Sequence, residues 1–493
     1  MPRHINPKRD QISAVAPYNF VPLPNRVLTV QEGLPEEFSN LWKRHDEFVP
    51  GAYSGWIDLD IKTLTPLFIR GAVFPRDGSE GNTDTDPRRS DAFQRPDGTP
   101  VIPGSSLRGM IRTLVEILSF SKIQPVSIEK PFFRDVSSKS AYDLVPEHIK
   151  EADIDMAEAL FGCVRVGAKR HSAIKGRVRF EDAVAVAGGP AWYVDRPFVP
   201  KVLSSPKVTT FQHYLTQDGT QGPEHLTSYL EGDYTTIRGF KMYWHRWDDK
   251  LGLKQVKEKD EEQLLDKALK GQDTQHTIIR PVKEGVTFRG RVHFTNLAAE
   301  ELGALLCALD LPEGCRHKLG MGKPLGLGTV SISCQITLID RQKRYSTWED
   351  NDSVEADPNV FKTAFQKMIL SHAENSGETM IEANTGLTRV ARLDALYTML
   401  QWDKRPRPEQ TRYMVIKGGD VARFGHKNEF RDRPVLPTPH WVAGKAEPNW
   451  ENDQPKPAVT GKGGRKDKPP RRPSRQTKSF RKDGKSSRRT PGR

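Results

Sequence analysis

Residues 90–122 read SDAFQRPDGTPVIPGSSLRGMIRTLVEILSFSK, and this stretch decides the fold. Its turn residues Pro103 and Gly104 stop the preceding segment and mark the start of a helix. Ser105 or Ser106 is the expected N-cap, because a serine hydroxyl accepts a hydrogen bond from a backbone N–H group of the first turn. The apolar residues that follow have the spacing of one buried helical face: Leu107, Met110, Ile111, Leu114, Val115 and Leu118.

A second face of the same predicted helix carries positive charge. Arg108 and Arg112 are four residues apart and lie near a helix N-terminus, which attracts anions. Gly109 between them costs about 1 kcal/mol of helix propensity relative to alanine and favours a close approach by another group. With the hydroxyls of Ser105 and Ser106, these arginines predict a seat for a phosphate backbone. A solvated helix face with a good cap is the alternative, because such charges are often only surface features.

Composition sets the outer limits. A chain of 493 residues has room for several domains and a large core. It contains no apolar run long enough to span a membrane, and residues 1–20 lack the apolar segment of a secretory signal. Its four cysteines form no C-x-x-C pair, which argues against a zinc knuckle or a disulfide framework. We therefore expect a reducing, cytoplasmic setting and no membrane partner.

The net charge of +13 is concentrated at one end of the chain. Residues 461–493 hold fourteen Lys or Arg and two Asp, which leaves a net charge of about +1 for the first 460 residues. This segment has almost no apolar residues, so we expect a disordered basic tail that adds salt-sensitive affinity for nucleic acid without sequence preference. Any binding surface on the body must therefore come from local clusters.

Strand and helix patterns occur in two blocks. Residues 55–69 alternate apolar and polar side chains, as a half-buried strand does, and they are followed by the helix described above and by a strand at residues 177–185. This order of strand, helix and strand is that of half a ferredoxin-like domain. In the second block, residues 287–297 predict a strand and residues 298–311 a helix. A glycine-rich loop then opens into a further strand.

Aromatic and cationic residues are interleaved between residues 201 and 247. The aromatic members are Phe211, Tyr214, Tyr243, Trp244 and Trp247, and the cationic ones are Lys207, Arg238, Lys241 and Arg246. Such interleaving suits stacking on unpaired bases together with contacts to phosphates. Packing in a protein core explains these aromatics equally well. The histidines His171, His213 and His245 offer acid–base chemistry, but lone histidines near aromatics are more often packed and satisfied.

The glycine-rich loop at residues 315–334 carries Lys318 and Lys323 among four glycines, including Gly322. A nucleotide-binding glycine loop follows a strand and opens a helix, whereas this one follows a helix and opens a strand. It also lacks a Ser or Thr directly after the lysine. The loop therefore either lies along an RNA backbone or simply makes a tight turn.

Three motifs in this order, VIPGSSLRGMIR, LFG…GRVRFEDA and LGMGKPLGLGTV, resemble the RAMP superfamily of CRISPR-associated proteins. The PYNFVPLP arm and the SSPK…RGFKMYWH insertion are similar to those of the larger type III members. The resemblance spans residues 17–440, and it implies an α+β, ferredoxin-like (RRM-like) core with large insertions. It also implies that backbone subunits line up along a guide RNA (crRNA), whose phosphates contact the helix after the IPGSS motif and the glycine loop. In this sequence those residues are Ser105, Ser106, Arg108, Arg112, Lys318, Gly322 and Lys323.

On this basis we divide the chain into four parts. Residues 1–50 form an N-terminal arm, and residues 51–339 form the RAMP core. The core carries an insertion at about residues 190–275. Residues 340–455 are a C-terminal appendix whose chemistry the sequence does not indicate, and residues 456–493 are the disordered basic tail.

The resemblance also implies a catalytic aspartate in the loop between the first strand and the helix. Type III backbone subunits often cut target RNA there with a divalent metal. Residues 70–98 form an unusually long loop that contains Asp84, Asp86 and Asp91, and Asp91 lies nearest the spacing of the family. One carboxylate and the substrate phosphates can hold Mg²⁺, which activates a water or a ribose hydroxyl. The alternative is an ordinary solvated loop, in which aspartates are common.

The function predicted from these residues is that of a guide-RNA-binding subunit of a type III-like CRISPR ribonucleoprotein. It would act beside other effector subunits and cleave complementary target RNA through the loop aspartate and Mg²⁺. One alternative is a structural guide-binding subunit without catalysis. Another is a stand-alone, metal-independent endoribonuclease that processes guides.

Overall fold

The computed structural model describes most of the chain up to residue 448. The described residues are 3–7, 12–71, 89–123, 144–166, 171–186, 189–203, 210–218, 225–229, 235–246, 253–255, 263, 277–346, 348, 352–415 and 428–448. Asp84, Asp86, Lys207 and the predicted tail at residues 456–493 lie outside them. All of the described residues belong to one compact unit, residues 1–450.

The described residues form three long strands of 11 residues, many short strands and ten α-helices. The strands are β1 (Tyr18–Val21), β2 (Tyr53–Thr63), β3 (Arg89–Asp91), β4 (Val101–Ile102), β5 (Gly162–Val166), β6 (His171–Lys175), β7 (Val178–Phe180), β8 (Ala183–Ala185), β9 (Phe198–Pro200), β10 (Phe240–Tyr243), β11 (Leu253–Gln255), β12 (Ile278–Arg280), β13 (Thr287–Leu297), β14 (His317–Lys318), β15 (Thr329–Ile339) and β16 (Ser353–Glu355). The helices are α1 (Val30–Gly33), α2 (Gly104–Leu118), α3 (Glu147–Lys150), α4 (Met156–Phe161), α5 (Phe211–Tyr214), α6 (Ala299–Leu309), α7 (Arg341–Ser346), α8 (Pro358–Asn375), α9 (Ala391–Leu400) and α10 (Pro439–Val442). No helix of the described part is long and apolar enough to cross a membrane.

The main sheet has the strand order of a ferredoxin-like fold. Strand β2 lies between β15 and β13, and β13 pairs on its other side with β7 and β8; all of these pairings are antiparallel. Helix α2 falls between β2 and β7 in the chain, and α6 falls between β13 and β15. The chain order strand, helix, strand, strand, helix, strand with the spatial order 4-1-3-2 defines the split βαβ arrangement. The predicted α+β, ferredoxin-like core is therefore confirmed.

One face of this sheet is buried under helices. In β2 the side chains of Ile57, Leu59 and Ile61 are buried, whereas Asp60 and Lys62 on the opposite face are exposed. This is the period of two that a half-covered strand requires. Helix α2 packs on α6 over the buried face, and the core includes Leu107, Ile111, Leu114, Val115 and Leu118 of its predicted apolar face. Met110, the remaining member of that face, is half-buried and lines a cleft that is described below.

The start of α2 differs from the prediction. The helix begins at Gly104, its N-cap is Pro103, and neither Ser105 nor Ser106 caps it. Instead the Gly104 N–H donates to the Asp182 carboxylate at 2.7 Å. A carboxylate at a helix N-terminus satisfies an orphan donor and interacts favourably with the helix dipole. The predicted serine cap is wrong because a side chain 78 residues away already occupies this place.

The predicted strand at residues 177–185 is divided in two. Strand β7 pairs with β13 through Phe180 and Val292, and β8 pairs with it through Ala185 and Phe288. Asp182, the cap of α2, lies in the break between them. The prediction for residues 287–297 is confirmed by β13, and that for residues 298–311 by α6, which is a little shorter.

Segments outside the core pack closely against it. Strand β1 is fully buried and pairs antiparallel with β10, so that Tyr18 lies opposite Tyr243. Helix α8 packs on α6, where a Cβ atom at Gly303 would lie only 2.1 Å from the Phe361 carbonyl oxygen. Gly303 therefore permits this close approach of the two helices.

A buried ion pair connects the two blocks of the core. The Arg177 guanidinium, just before β7, makes two hydrogen bonds to the Glu301 carboxylate in the first turn of α6. It also donates to the carbonyl oxygens of Asn296 (2.6 Å) and Ala159 (3.2 Å). Glu301 in turn accepts the Ala298 N–H at 3.0 Å. Each charge thus has several hydrogen-bond partners, and the two side chains are only 2% and 0% exposed.

Substitution of one partner tests this connection. We expect Arg177→Met to lower the free energy of unfolding by about 3–5 kcal/mol, because it leaves the Glu301 carboxylate buried without its counter-charge. The matched control is Arg289→Met, which breaks an ion pair with Asp60 whose side chains are 70% and 53% exposed. That change should cost less than about 1 kcal/mol. The free energies of unfolding are measured by urea denaturation. If the two variants lose the same amount, the Arg177–Glu301 pair does not connect the two blocks as we infer.

Candidate nucleic-acid interface

Three of the sequence motifs meet in one cleft of about 570 Å³. The first turns of α2 form one wall, the glycine loop with β14 forms the second, and β10 forms the third. Ile69 and Arg70, which follow β2 in the chain, line the remaining side. The residues that line the cleft include Arg70, Ser105, Ser106, Gly109, Met110, Lys241, Tyr243, Lys318 and Lys323.

The cleft has a positive lining. Within the part of the chain that the structure describes, the lining includes four cationic side chains, Arg70, Lys241, Lys318 and Lys323, and no carboxylate. A concave surface of one sign of charge raises the local concentration of ions of the other sign. The cleft is therefore suited to an anion.

Helix α2 presents its small polar residues to this space. Ser105 and Gly109 are exposed and Ser106 is half-exposed. No atom lies within 4 Å of the place that a Cβ atom would take at Gly109, so the helix surface is open there. The first turn of a helix also contributes positive potential toward an anion. The cleft thus brings Ser105 and Ser106 together with the glycine loop, and their predicted contact with a phosphate backbone stays a prediction.

The glycine loop is shaped by left-handed backbone conformations. Gly322 has φ +68° and caps the short 3₁₀ turn Lys323–Leu325. Gly328 has φ +78°, and a Cβ atom there would lie 1.8 Å from the Leu319 carbonyl oxygen. Only glycine adopts such geometry without strain. The loop is thus a tight turn, and that turn sets Lys323 at the cleft.

Lys318 has its ammonium group engaged inside the loop. Its Nζ atom donates to the Gly326 carbonyl oxygen (3.2 Å) and to the Thr329 hydroxyl (3.1 Å), and its side chain is buried. Burial holds its pKa well below the usual value, and the charges of Arg246, Lys323 and Arg405 lower it further. Lys318 therefore fixes the loop, whereas Lys323 is the lysine of the loop that is half-exposed at the cleft.

Lys241 lies at the inner end of the cleft. Its Nζ atom is 4.0 Å from the ring centroid of Tyr18, 5.3 Å from that of Tyr214 and 5.5 Å from that of Tyr243. Burial lowers its pKa to about 8. The ring faces hold the cation by cation–π attraction.

Arg238, three residues before Lys241, has a different environment. Its guanidinium is buried and donates to the carbonyl oxygens of Leu436 (2.6 Å) and Pro437 (3.1 Å). Burial lowers its pKa to about 9. It connects this segment to the C-terminal part of the protein and does not line the cleft.

Arg108 and Arg112 contact the end of a neighbouring helix. Arg108 donates to the carbonyl oxygen of Phe161, and Arg112 donates to that of Gly162 at 3.0 Å and to the Glu116 carboxylate at 2.8 Å. The last carbonyl groups of a helix have no partner within it, and here α4 receives two donors from α2. Neither arginine lines the cleft. Their predicted contact with a phosphate backbone stays a prediction, and the geometry favours a structural role.

Asp91 ends strand β3, which pairs in parallel with β12 so that Asp91 lies opposite Arg280. The next residue, Ala92, pairs with Arg70, a residue of the cleft. Among the described residues no group of three or more His, Cys, Asp or Glu could hold a metal ion. Asp84 and Asp86 lie outside those residues. The Mg²⁺ site therefore stays a prediction based on the resemblance.

Two of the three histidines considered from the sequence are buried. His245 contacts the Thr329 hydroxyl (3.1 Å) and the Arg316 carbonyl oxygen (2.9 Å), and burial keeps its pKa well below the usual value. His213 is buried as well, and burial lowers its pKa to about 3. Both are neutral at physiological pH, as expected for packed histidines.

Sequence reasoning missed some residues near this site. Arg70 follows the first strand, and its position in the cleft depends on pairing with Ala92. Tyr18 comes from the PYNF segment and lies beside Lys241 because β1 pairs with β10. The density of aromatics and prolines in residues 17–24 was the available signal.

The fold and the cleft together define a class: a ferredoxin-like protein with insertions and a cationic cleft beside its sheet. A sequence model of the RAMP superfamily matches residues 60–331, more than half of the chain, and the protein belongs to that superfamily. A search of curated proteins gave no match. Among solved structures, a chain entitled "Type IV-B CRISPR Complex" is similar at 16% identity with a TM-score of 0.26. The alignment covers 57% of this chain and 90% of that one.

The role of Arg112 can be tested through the pH dependence of stability. Burial raises the pKa of Glu116 to about 7, although Arg112 opposes the shift. At pH 8 the carboxylate is ionised and needs its partner, whereas at pH 5.5 it is protonated. We therefore expect Arg112→Met to cost about 3 kcal/mol at pH 8 and clearly less at pH 5.5.

The control for this measurement is Arg179→Met, whose side chain is 73% exposed beside Glu181. It should change the free energy of unfolding little at either pH. A loss for Arg112→Met that is small, or equal at the two pH values, would show that Arg112 is not a structural clamp.

Proposed function

We propose that this protein binds guide RNA as a subunit of a CRISPR ribonucleoprotein of type III-like organisation. The observation that carries the proposal is the cleft, in which α2, the glycine loop and β10 place four cations and no carboxylate among the described lining residues. Membership of the RAMP superfamily supports it. The type III assignment, the guide RNA and the neighbouring effector subunits rest on the sequence motifs.

The chemistry of the cleft suits a sugar–phosphate backbone. Lys323 and Arg70 offer charge at the surface, and the first turn of α2 adds hydroxyls and positive potential. Lys241 loses part of its charge near its pKa of about 8 when the cleft is empty. A bound phosphate restores that charge, because a nearby anion favours the protonated form.

The open face of the sheet is a weaker candidate for the same ligand. RRM domains bind RNA on that face through exposed aromatic residues. Here Arg289 pairs with Asp60 at 2.9 Å and Arg291 with Asp58 at 2.7 Å, and the Arg291 guanidinium lies over the Trp56 ring at 5.0 Å. Both arginines of this face are thus balanced by carboxylates, and its tryptophan is covered. Because of its charge, the cleft is a better candidate for the RNA-binding site than the open face of the sheet.

A lysine substitution on each surface tests this choice. We expect Lys323→Gln to weaken binding of single-stranded RNA and to reduce the slope of log affinity against log salt by about one unit, because one phosphate contact is lost. The matched control, Lys62→Gln, removes an exposed lysine from the open face of the sheet. Fluorescence anisotropy over a salt series measures both. If Lys62→Gln weakens RNA binding more than Lys323→Gln does, the binding site lies on the open face of the sheet.

We further propose that the complex cleaves target RNA paired with the guide, with Asp91 as ligand for Mg²⁺. The observation that favours this is the pairing of Ala92, the next residue, with Arg70 of the cleft. Mg²⁺ supplies a polarising charge for phosphoryl chemistry and an activated water or hydroxyl. The contribution of the chain is to hold the RNA backbone along the cleft beside β3.

Cleavage is tested in the assembled complex with guide RNA and a labelled complementary target. Asp91→Asn should reduce the Mg²⁺-dependent cut at least about 100-fold while target binding is retained, because a metal ligand is lost. The control is Asp97→Asn in the same segment, which should leave the cut unchanged. Asp97 accepts the Thr99 N–H at 2.9 Å.

The double variant Asp84→Ala/Asp86→Ala tests the other predicted carboxylates. A cut that survives in both the Asp91 and the double variant would leave a structural guide-binding subunit. Cleavage of a guide precursor in the presence of chelator would instead indicate a metal-independent processing enzyme.

A further inference from the structure

A second cavity lies next to the cleft and is lined by aromatic rings. Its volume is about 240 Å³, and its walls come from β1, α5, β10 and two C-terminal segments. The aromatic side chains are Tyr18, His213, Tyr214, Tyr243, Tyr413 and Phe430. We propose that this cavity binds one unpaired nucleobase of the RNA strand whose backbone lies in the cleft. The proposal rests on the RNA-binding function argued above.

The cavity adjoins the cleft. Lys241 and Tyr243 line both spaces, and Pro324, which lines the cavity, follows Lys323 of the cleft directly in the chain. A strand whose phosphates contact Lys323 and Lys241 therefore has the mouth of the aromatic cavity beside it. We place in the cavity a base of that strand that turns away from its neighbours.

The rings form walls that are already in place. Tyr18 stacks on Tyr214 with centroids 5.7 Å apart and planes at 27°, and Tyr243 meets the edge of Tyr18 at 6.4 Å. His213 stacks on Phe430 with centroids 6.3 Å apart and planes at 24°. Rings that are held by one another lose little freedom when a ligand stacks on them. Stacking of a base on such rings does not depend strongly on its identity.

The cavity also contains polar atoms at its walls. The His213 side chain is 3% exposed, and its Nδ1 atom is 3.5 Å from the Tyr18 hydroxyl. Among the described residues its Nε2 atom makes no hydrogen bond of good geometry, although the Pro434 carbonyl opposes the lowering of its pKa. The edge of a base carries donors and acceptors that can add to these contacts.

The charge near the cavity favours a nucleotide over an apolar occupant. An apolar peptide side chain would gain nothing from the Lys241 ammonium or from the other three cations of the cleft. A nucleotide uses both parts of the site, because its base is aromatic and its phosphate is an anion. The combination of an aromatic cavity with an adjoining cationic cleft thus favours an unpaired nucleotide.

The test uses the full-length chain and a uridine RNA of about 12 nucleotides that contains 4-thiouridine, a length within the range bound by single-strand sites. We expect Tyr413→Leu to weaken binding roughly 5- to 100-fold while the salt slope is unchanged, because stacking is lost and phosphate contacts remain. Lys323→Gln should lower the salt slope. Tyr345→Leu is the control, since Tyr345 is 72% exposed and lies outside the cavity.

Photocrosslinking of the wild-type chain with the same RNA gives a readout that needs no variant. Crosslinks should fall on residues of the cavity, such as Tyr214, Tyr243 and Tyr413. If the wild-type chain binds no RNA, the proposed function itself fails. If binding depends on Lys323 while crosslinks fall elsewhere and Tyr413→Leu binds normally, only the nucleobase site is overturned.

Discussion

The buried pair of Arg177 and Glu301 is the contact on which the arrangement of the core depends. It connects the segment before β7 with the start of α6, and through Asn296 and Ala159 it also connects the ends of β13 and α4. Asn296 has φ +53°, which is uncommon for a residue other than glycine. Its side-chain Nδ2 atom donates to the Glu47 carbonyl oxygen at 2.7 Å, which helps to hold this conformation. The two blocks of the ferredoxin-like core are thus joined where their backbones turn.

The cleft follows from this arrangement. Helix α2 belongs to the first block and the glycine loop to the second, so their distance is set by how the blocks pack. Lys318 lies at their junction with an environment of other cations, and burying such a charge is unfavourable in itself. An anion in the cleft reduces that repulsion. In the proposed RNA complex, relief of this repulsion would contribute to affinity, as unfavourable local features at functional sites often do.

Residues close in sequence have opposite environments here, and this limits what a sequence can predict. Lys318 and Lys323 belong to one loop, yet one is buried and bonded to the loop itself while the other is half-exposed at the cleft. Arg238 is bonded to backbone carbonyls, whereas Lys241 lies among tyrosines at the cleft. Charge and composition indicate that such segments bind something. They do not indicate whether the partner is an RNA phosphate or a carbonyl group of the same chain.

The elements that depend on local pattern were predicted well. The apolar spacing of α2 predicted the right buried face, and the strand predicted at residues 287–297 is β13. The strand predicted at residues 55–69 is β2 as far as Thr63, and the prediction is wrong for the residues after it. Local periods succeed because they reflect the geometry of a strand and a helix directly. Contacts between distant residues were not accessible in this way. The cap of α2 comes from Asp182, and Arg112 contacts the end of α4 at Gly162. Neither partner can be chosen before the packing of the strands is known.

The parts outside the core give this protein its particular site. The core alone contributes α2 and the glycine loop, which make two walls of the cleft. The third wall, β10, is held by its pairing with β1, and the carbonyl groups of Leu436 and Pro437 hold Arg238 close to it. These same segments supply Tyr18, Tyr243 and the other rings of the aromatic cavity. An N-terminal arm, an insertion and a C-terminal segment that are distant in sequence therefore converge on one edge of the cleft. Because each depends on the others for burial of its rings, the three segments form the cavity together, and loss of any one would open it to solvent.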